Sequence, residues 1–81
     1  MKIRVLLFAG AREAAGADSI DVELADNAVV GDVRRAIADQ TPQLASLAER
    51  SRISVGAAYA TDSDPAPPDA EFALIPPVSG G

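Results

Sequence analysis

The sequence predicts an α+β fold, a mixed sheet with one main helix packed across one face. Three observations carry it. Short alternating apolar stretches stand near both ends of the chain. One segment between them repeats its apolar residues at helical spacing. Proline, glycine and aspartate punctuate the joins. The 81 residues, 48% of them hydrophobic, suffice for one domain with a modest core. Aromatic residues are few, so Val, Ile, Leu and Ala fill that core, with Phe8, Tyr59 and Phe72 as its large rings.

Lys2 to Ala9 reads as a strand. Ile3, Val5 and Leu7 point one way, and Arg4, Leu6 and Phe8 the other. Both faces turn apolar past Arg4, which predicts a central strand partly covered on both sides. Ala11 to Gly16 is a short turn-like or helical link ending in glycine. Ser19 to Leu24 alternates again, with Ile20, Val22 and Leu24 against Asp21 and Glu23. Its closeness to the first strand predicts an antiparallel pair.

Val29 to Gln40 carries the helix, because Val30, Val33 and Ile37 share one face while Asp32, Arg34, Arg35 and Asp39 take the others. Its start is poorly signalled, leaving Asn27 or Ala28 as N-cap. Pro42 fits the first turn of a second short helix to Arg50, with Leu44, Leu47 and Ala48 inward. Ile53 to Ala60 reads as a third strand and Asp62 to Asp69 as a loop. Glu71 to Ile75 reads as a last strand, stopped by Pro76-Pro77 because proline donates nothing to a ladder. The stretch joining the second strand to the later ones is long enough for a crossover.

Composition removes several functions. With no cysteine and no histidine, disulfides, thiolate catalysis, zinc-thiolate sites and imidazole base chemistry are absent. The formal net charge is −5 and the basic residues are scattered. The Arg34-Arg35 pair has no aromatic stacking group nearby, so nucleic acid is not an expected partner. An acidic surface fits a basic partner. No stretch approaches the roughly 20 apolar residues of a membrane span, and the short apolar run of Met1 to Gly10 lacks the pattern of a signal peptide. A cytoplasmic protein is expected.

What remains is the ending Pro76-Pro77-Val78-Ser79-Gly80-Gly81. Two prolines hold a chain extended. Two glycines without Cβ atoms are slim enough to thread a narrow tunnel in another protein. The terminal carboxylate is then the reactive group that reaches out. It can attack ATP to give an acyl-adenylate, and a sulfur donor can displace AMP to leave a thiocarboxylate. The residues alone leave an idle terminus equally open.

Other candidates are weaker. Asp62-Ser63-Asp64 resembles the start of a calcium loop, but Pro67 stands where the loop needs glycine and Ala73 where it needs glutamate, so a solvated acidic loop is expected. Arg12 and Glu13 fit either a surface ion pair or a contact at a partner's edge. Phe8 and Ile75, if the first and last strands pair, fall together on the sheet face away from the helix. There they are either ordinary core or an apolar docking patch beside the tail.

The stretch Val5-Leu6-Leu7-Phe8-Ala9-Gly10-Ala11-Arg12-Glu13 resembles the first strand and turn of the molybdopterin synthase small-subunit family. The stretch from Asp69 to Ile75, running into Pro76-Pro77-Val78-Ser79-Gly80-Gly81, resembles that family's ending. The resemblance spans essentially the whole chain. It implies a ubiquitin-like β-grasp domain over residues 1–75 and an extended tail over 76–81. It implies a sulfur carrier that catalyses nothing alone. An adenylating enzyme using ATP would activate Gly81, and a sulfur donor would convert it to the thiocarboxylate. The large synthase subunit, in an expected heterotetramer, would pass that sulfur to cyclic pyranopterin monophosphate in molybdenum cofactor biosynthesis. Nucleotide is then met only during activation, and the chain itself binds no cofactor or metal.

Carried over residue by residue, Gly81 bears the sulfur and Gly80 lets it thread the partner. Phe8 and Ile75 give the large subunit apolar contacts, with Arg12, Pro76, Pro77, Val78 and Ser79 completing the candidate partner surface. Family members often carry an Asn in the third strand after a Val. Here the stretch is Ser54-Val55-Gly56-Ala57-Ala58-Tyr59, so whatever that Asn braces is handled differently. A thiamine-type sulfur carrier, a protein modifier joined to lysines through Gly81, and a plain binding module with an idle tail are the alternatives.

Overall fold

The computed structural model describes residues 1–77. Val78, Ser79, Gly80 and Gly81, four of the candidate site residues, lie outside the described residues. Alternation in Lys2–Leu7 (β1) buries Ile3, Val5 and Leu7. A short helix, Ala9–Ala15 (α1), follows and is ended by Gly16 in the left-handed region. Ser19–Glu23 (β2) returns antiparallel to β1, pairing Ile3 with Val22 and Val5 with Ile20. The main helix, Val30–Gln40 (α2), buries Val30, Val33, Ala36 and Ile37. A 3₁₀ turn, Pro42–Leu44, begins on its proline and leads into Ala45–Arg50 (α3). Leu44 and Ala48 are fully buried there and Leu47 partly so.

The stretch expected as one strand from Ile53 to Ala60 is two, Arg52–Val55 (β3) and Ala58–Ala60 (β4), paired antiparallel with Val55 opposite Ala58. The turn between them sets Gly56 at φ 60° and Ala57 at φ 71°. Positive φ at both central residues is the signature of a type I′ hairpin turn, whose twist matches that of the strands it joins. This also accounts for the departure from the family pattern. Glycine enters the left-handed region at no steric cost, so Gly56 meets the backbone requirement of this turn, and an Asn there could meet it too.

Phe72–Ile75 (β5) closes the sheet in the order β2-β1-β5-β3-β4, parallel to β1 and antiparallel to β3. The order, with α2 across one face, is the β-grasp arrangement the resemblance implies. Phe72 and Leu74 are fully buried at the centre of the core. The expectation of a central strand partly covered on both sides holds unevenly, with β1 lying between β2 and β5. Its second face is open, with Leu6 half-buried and Phe8 45% exposed, because every helix packs against the other side.

The start of α2 is corrected too. Neither Asn27 nor Ala28 caps it. Val29 is the N-cap and has no side-chain acceptor, so Asp32 closes the end from inside the helix by accepting the Val29 N–H at 3.0 Å. Two further helix-start N–H groups, of Val30 and Gly31, donate to the carbonyls of Asp64 and Asp62 at 2.8 and 2.9 Å. That loop approaches so closely that a Cβ at Gly31 would stand 3.2 Å from the Asp62 carbonyl oxygen. Arg34 locks the same corner. Its guanidinium donates to the carbonyls of Ala48 and Ser51 and to Asp62 Oδ1 at 3.0 Å. The acidic loop is therefore a brace for α2. Asp62 is taken by Arg34, and Asp64 accepts the Thr61 N–H at 2.8 Å.

Candidate functional site

In a strand alternate side chains face opposite ways, so the residues that do not feed the core build the other face of the sheet. On β1 these are Lys2, Arg4, Leu6 and, one step past the strand, Phe8. On β5 they are Ala73 and Ile75, on β3 Arg52 and Ser54, and on β4 Tyr59. The parallel register sets Leu6 beside Ala73 and Leu7 beside Leu74. Continued by one residue, it brings Phe8 to the level of Ile75. The two side chains line one shallow depression of about 380 Å³ together with Leu6, Ala73, Ser54 and Tyr59. Phe8 and Tyr59 are its large exposed apolar groups, and no helix among the described residues covers them. Two aromatic rings left in water on one sheet face, at the two ends of one depression, are the usual make-up of a surface completed by another protein.

The described part of the tail begins at the edge of this surface. Pro76, which is buried, and Pro77, which is exposed, follow Ile75 directly. They line a second cleft with Arg50, Arg52, Tyr59 and Ile75. Because Ile75 and Tyr59 border both hollows, the depression and the tail root form one continuous surface. Arg12 is placed apart. It lies exposed on α1, in a loose ion pair with Asp18 at 4.0 Å, and does not line the depression.

Sequence reasoning missed Tyr59, Arg50 and Arg52. Tyr59 was counted toward the core, yet the Gly56-Ala57 turn places it on the open face, 61% exposed and opposite Ser54. Gly56 between two apolar runs is the one local sign of a turn there, and Ala57 beside it is not a residue that signals a two-residue hairpin loop. No helix among the described residues is long and apolar enough to cross a membrane. No group of three or more Asp or Glu among them is arranged to hold a metal ion.

Comparison with known proteins agrees with this geometry. The family model described as "ThiS family" matches residues 5–81. The chain is 35% identical to the molybdopterin synthase sulfur carrier subunit of Chlamydomonas reinhardtii, across 100% of both chains. It is 36% identical to the protein of the same name from Dictyostelium discoideum, across 99% of this chain and 96% of that one. Among solved structures, H. volcanii small archaeal modifier protein 1 superposes with a TM-score of 0.83 at 27% identity, covering 95% of this chain and 98% of the other.

Proposed function

The chain belongs to the ThiS family, and from that premise we propose that it is a sulfur carrier for molybdopterin synthesis, working through the carboxylate of Gly81. The observation that carries this reading is the full-length similarity to the Chlamydomonas sulfur carrier subunit, which runs through the Gly80-Gly81 ending.

The chemistry follows from what the chain lacks. Without cysteine or histidine it has no side-chain nucleophile suited to holding sulfur, so the terminal carboxylate is the group left to carry it. In an activating enzyme, a Gly81 carboxylate oxygen attacks the α-phosphorus of ATP, and pyrophosphate leaves. The acyl-adenylate is then attacked by sulfur from a donor, AMP departs, and a thiocarboxylate remains. In the large synthase subunit that sulfur attacks cyclic pyranopterin monophosphate while still bonded to the Gly81 carbonyl carbon. Water then adds to that carbon and the C–S bond breaks, so the sulfur stays on the pterin as thiolate and Gly81 returns to the carboxylate. The domain supplies binding and aim. Phe8, Ile75 and Tyr59 seat the partner on the open face, while Pro76-Pro77 lead the chain away beside it.

Co-expression with an activating enzyme and a sulfur source, followed by intact mass measurement, tests the reading. A product with one oxygen replaced by sulfur is expected, and its absence with a competent activator present would sink the proposal. The likeness to the archaeal modifier protein favours one second reading, in which the activated Gly81 is joined to lysines of target proteins. Lysine-linked conjugates in place of molybdopterin, on mixing the activated chain with the large subunit and precursor, would select it.

A further inference from the structure

The arginines of this acidic chain divide into two sets. Arg4, Arg12, Arg34 and Arg35 each stand against an aspartate, namely Asp21, Asp18, Asp62 and Asp32. Arg50 and Arg52 have no carboxylate within ion-pair distance among the described residues. Both lie in one place, at the end of α3 and the start of β3, where they wall the cleft at the tail root with Tyr59, Ile75, Pro76 and Pro77. The β3–β5 register sets Arg52 beside Ile75, the last residue before the prolines. Its guanidinium lies over the Tyr59 ring, 4.8 Å from the centroid. Arg50 reaches only a backbone carbonyl, that of Ser46, at 3.5 Å. A guanidinium held over a ring face by cation–π attraction can still match a carboxylate with its N–H fork in two parallel hydrogen bonds.

We propose that Arg50 and Arg52 receive carboxylates on the rim of the large-subunit opening that admits the tail. The inference rests on the sulfur-carrier reading and deepens it by naming the charge of the partner's rim. Continuity supports the assignment, since a protein covering Phe8 and Ile75 also covers Tyr59, which Arg52 stacks upon. Charge complementarity supports it as well. In a chain of net charge −5, two neighbouring cations with no carboxylate partner among the described residues favour an acidic contact at that spot. Exposed pairs of this kind govern the rate and selectivity of encounter more than the strength of the final complex.

Stopped-flow association of the full chain with the large synthase subunit, at low and at high salt, tests this. The double variant R50Q/R52Q is expected to associate about ten-fold more slowly than wild type at low salt and to lose most of its salt dependence. The R50K/R52K variant, which keeps the charge, is expected to recover most of the rate. Circular dichroism should show both variants folded, since the two side chains are exposed. A double variant with the wild-type rate and salt slope overturns the inference while leaving the carrier reading intact. A wild-type chain that does not associate with the large subunit at any salt overturns both.

Discussion

On the helix side of the sheet Ile3, Val5, Leu7, Ile53, Phe72 and Leu74 are all buried, whereas on the other side Phe8 and Tyr59 stand 45% and 61% exposed. Both faces are built by the same strands, and the apolar residues alternate between them along β1 and β5. The difference lies in what covers each. All the helices among the described residues pack on one side, so these residues cover one face and leave part of the other exposed. A sheet with one wholly apolar face under its helices and an apolar patch on the other has a stable fold and an unfinished surface at the same time. The tail root is placed at the margin of the unfinished side.

The comparison is sharpest where fold and function should separate completely. Removing Gly81 should abolish thiocarboxylate formation, read by intact mass, while the unfolding free energy changes by less than about 0.5 kcal/mol. The core cluster and strand ladders close without that residue, so a large loss of thermal stability would break the distinction. The converse is Phe72→Ala. This ring is fully buried in the central strand, and its loss should cost about 3–5 kcal/mol in chemical denaturation, enough to unfold much of a domain this small. On the open face, Phe8→Ser should leave stability within about 0.5 kcal/mol and weaken binding to the large subunit by about 2 kcal/mol, measured by calorimetry. A stability loss as large as that of Phe72→Ala would mean that Phe8 belongs to the core.

The smallest effect concerns the turn that delivers Tyr59 to the open face. Gly56→Ala should cost about 1–2 kcal/mol through its left-handed backbone alone, since a Cβ there meets nothing within 4 Å. Gly56→Asn should cost less than that, because Asn accepts this conformation.

Strand alternation made the first, second and last strands legible, and the three- and four-residue spacing of Val30, Val33 and Ile37 did the same for α2. These patterns are local and strongly periodic. Three features were not legible for a common reason, that they depend on distant or atypical backbone. Ala57 sits at a positive φ that alanine seldom adopts, so the break between β3 and β4 was hidden inside an apolar run. The start of α2 is held by carbonyls of Asp62 and Asp64, about thirty residues away, which no local N-cap signal reports. Arg34 bridges the same loop to α3 through contacts that only the folded chain brings together. At the candidate site, the pairing of Phe8 with Ile75 was readable because it follows from strand register. The apolar character of β1 on both faces did not reveal that one face is left bare. Nor did it show that Tyr59, Arg50 and Arg52 gather beside the tail root, since that depends on the hairpin.

The position of β5 has a bearing on synthesis. A chain emerging from the ribosome makes β1 to β4 first, yet β5 is the strand that joins the β1–β2 half of the sheet to the β3–β4 half. Until Phe72 to Ile75 are free to insert, the two hairpins share no ladder, and the pocket that Phe72 fills is open to water. Closure needs contacts between residues nearly seventy positions apart, a slow kind of step. The segment next in line is Pro76-Pro77, the lead into the tail. The open face and the tail root are therefore aligned only on chains that have finished folding, and any partner that needs both together would pass over incomplete ones.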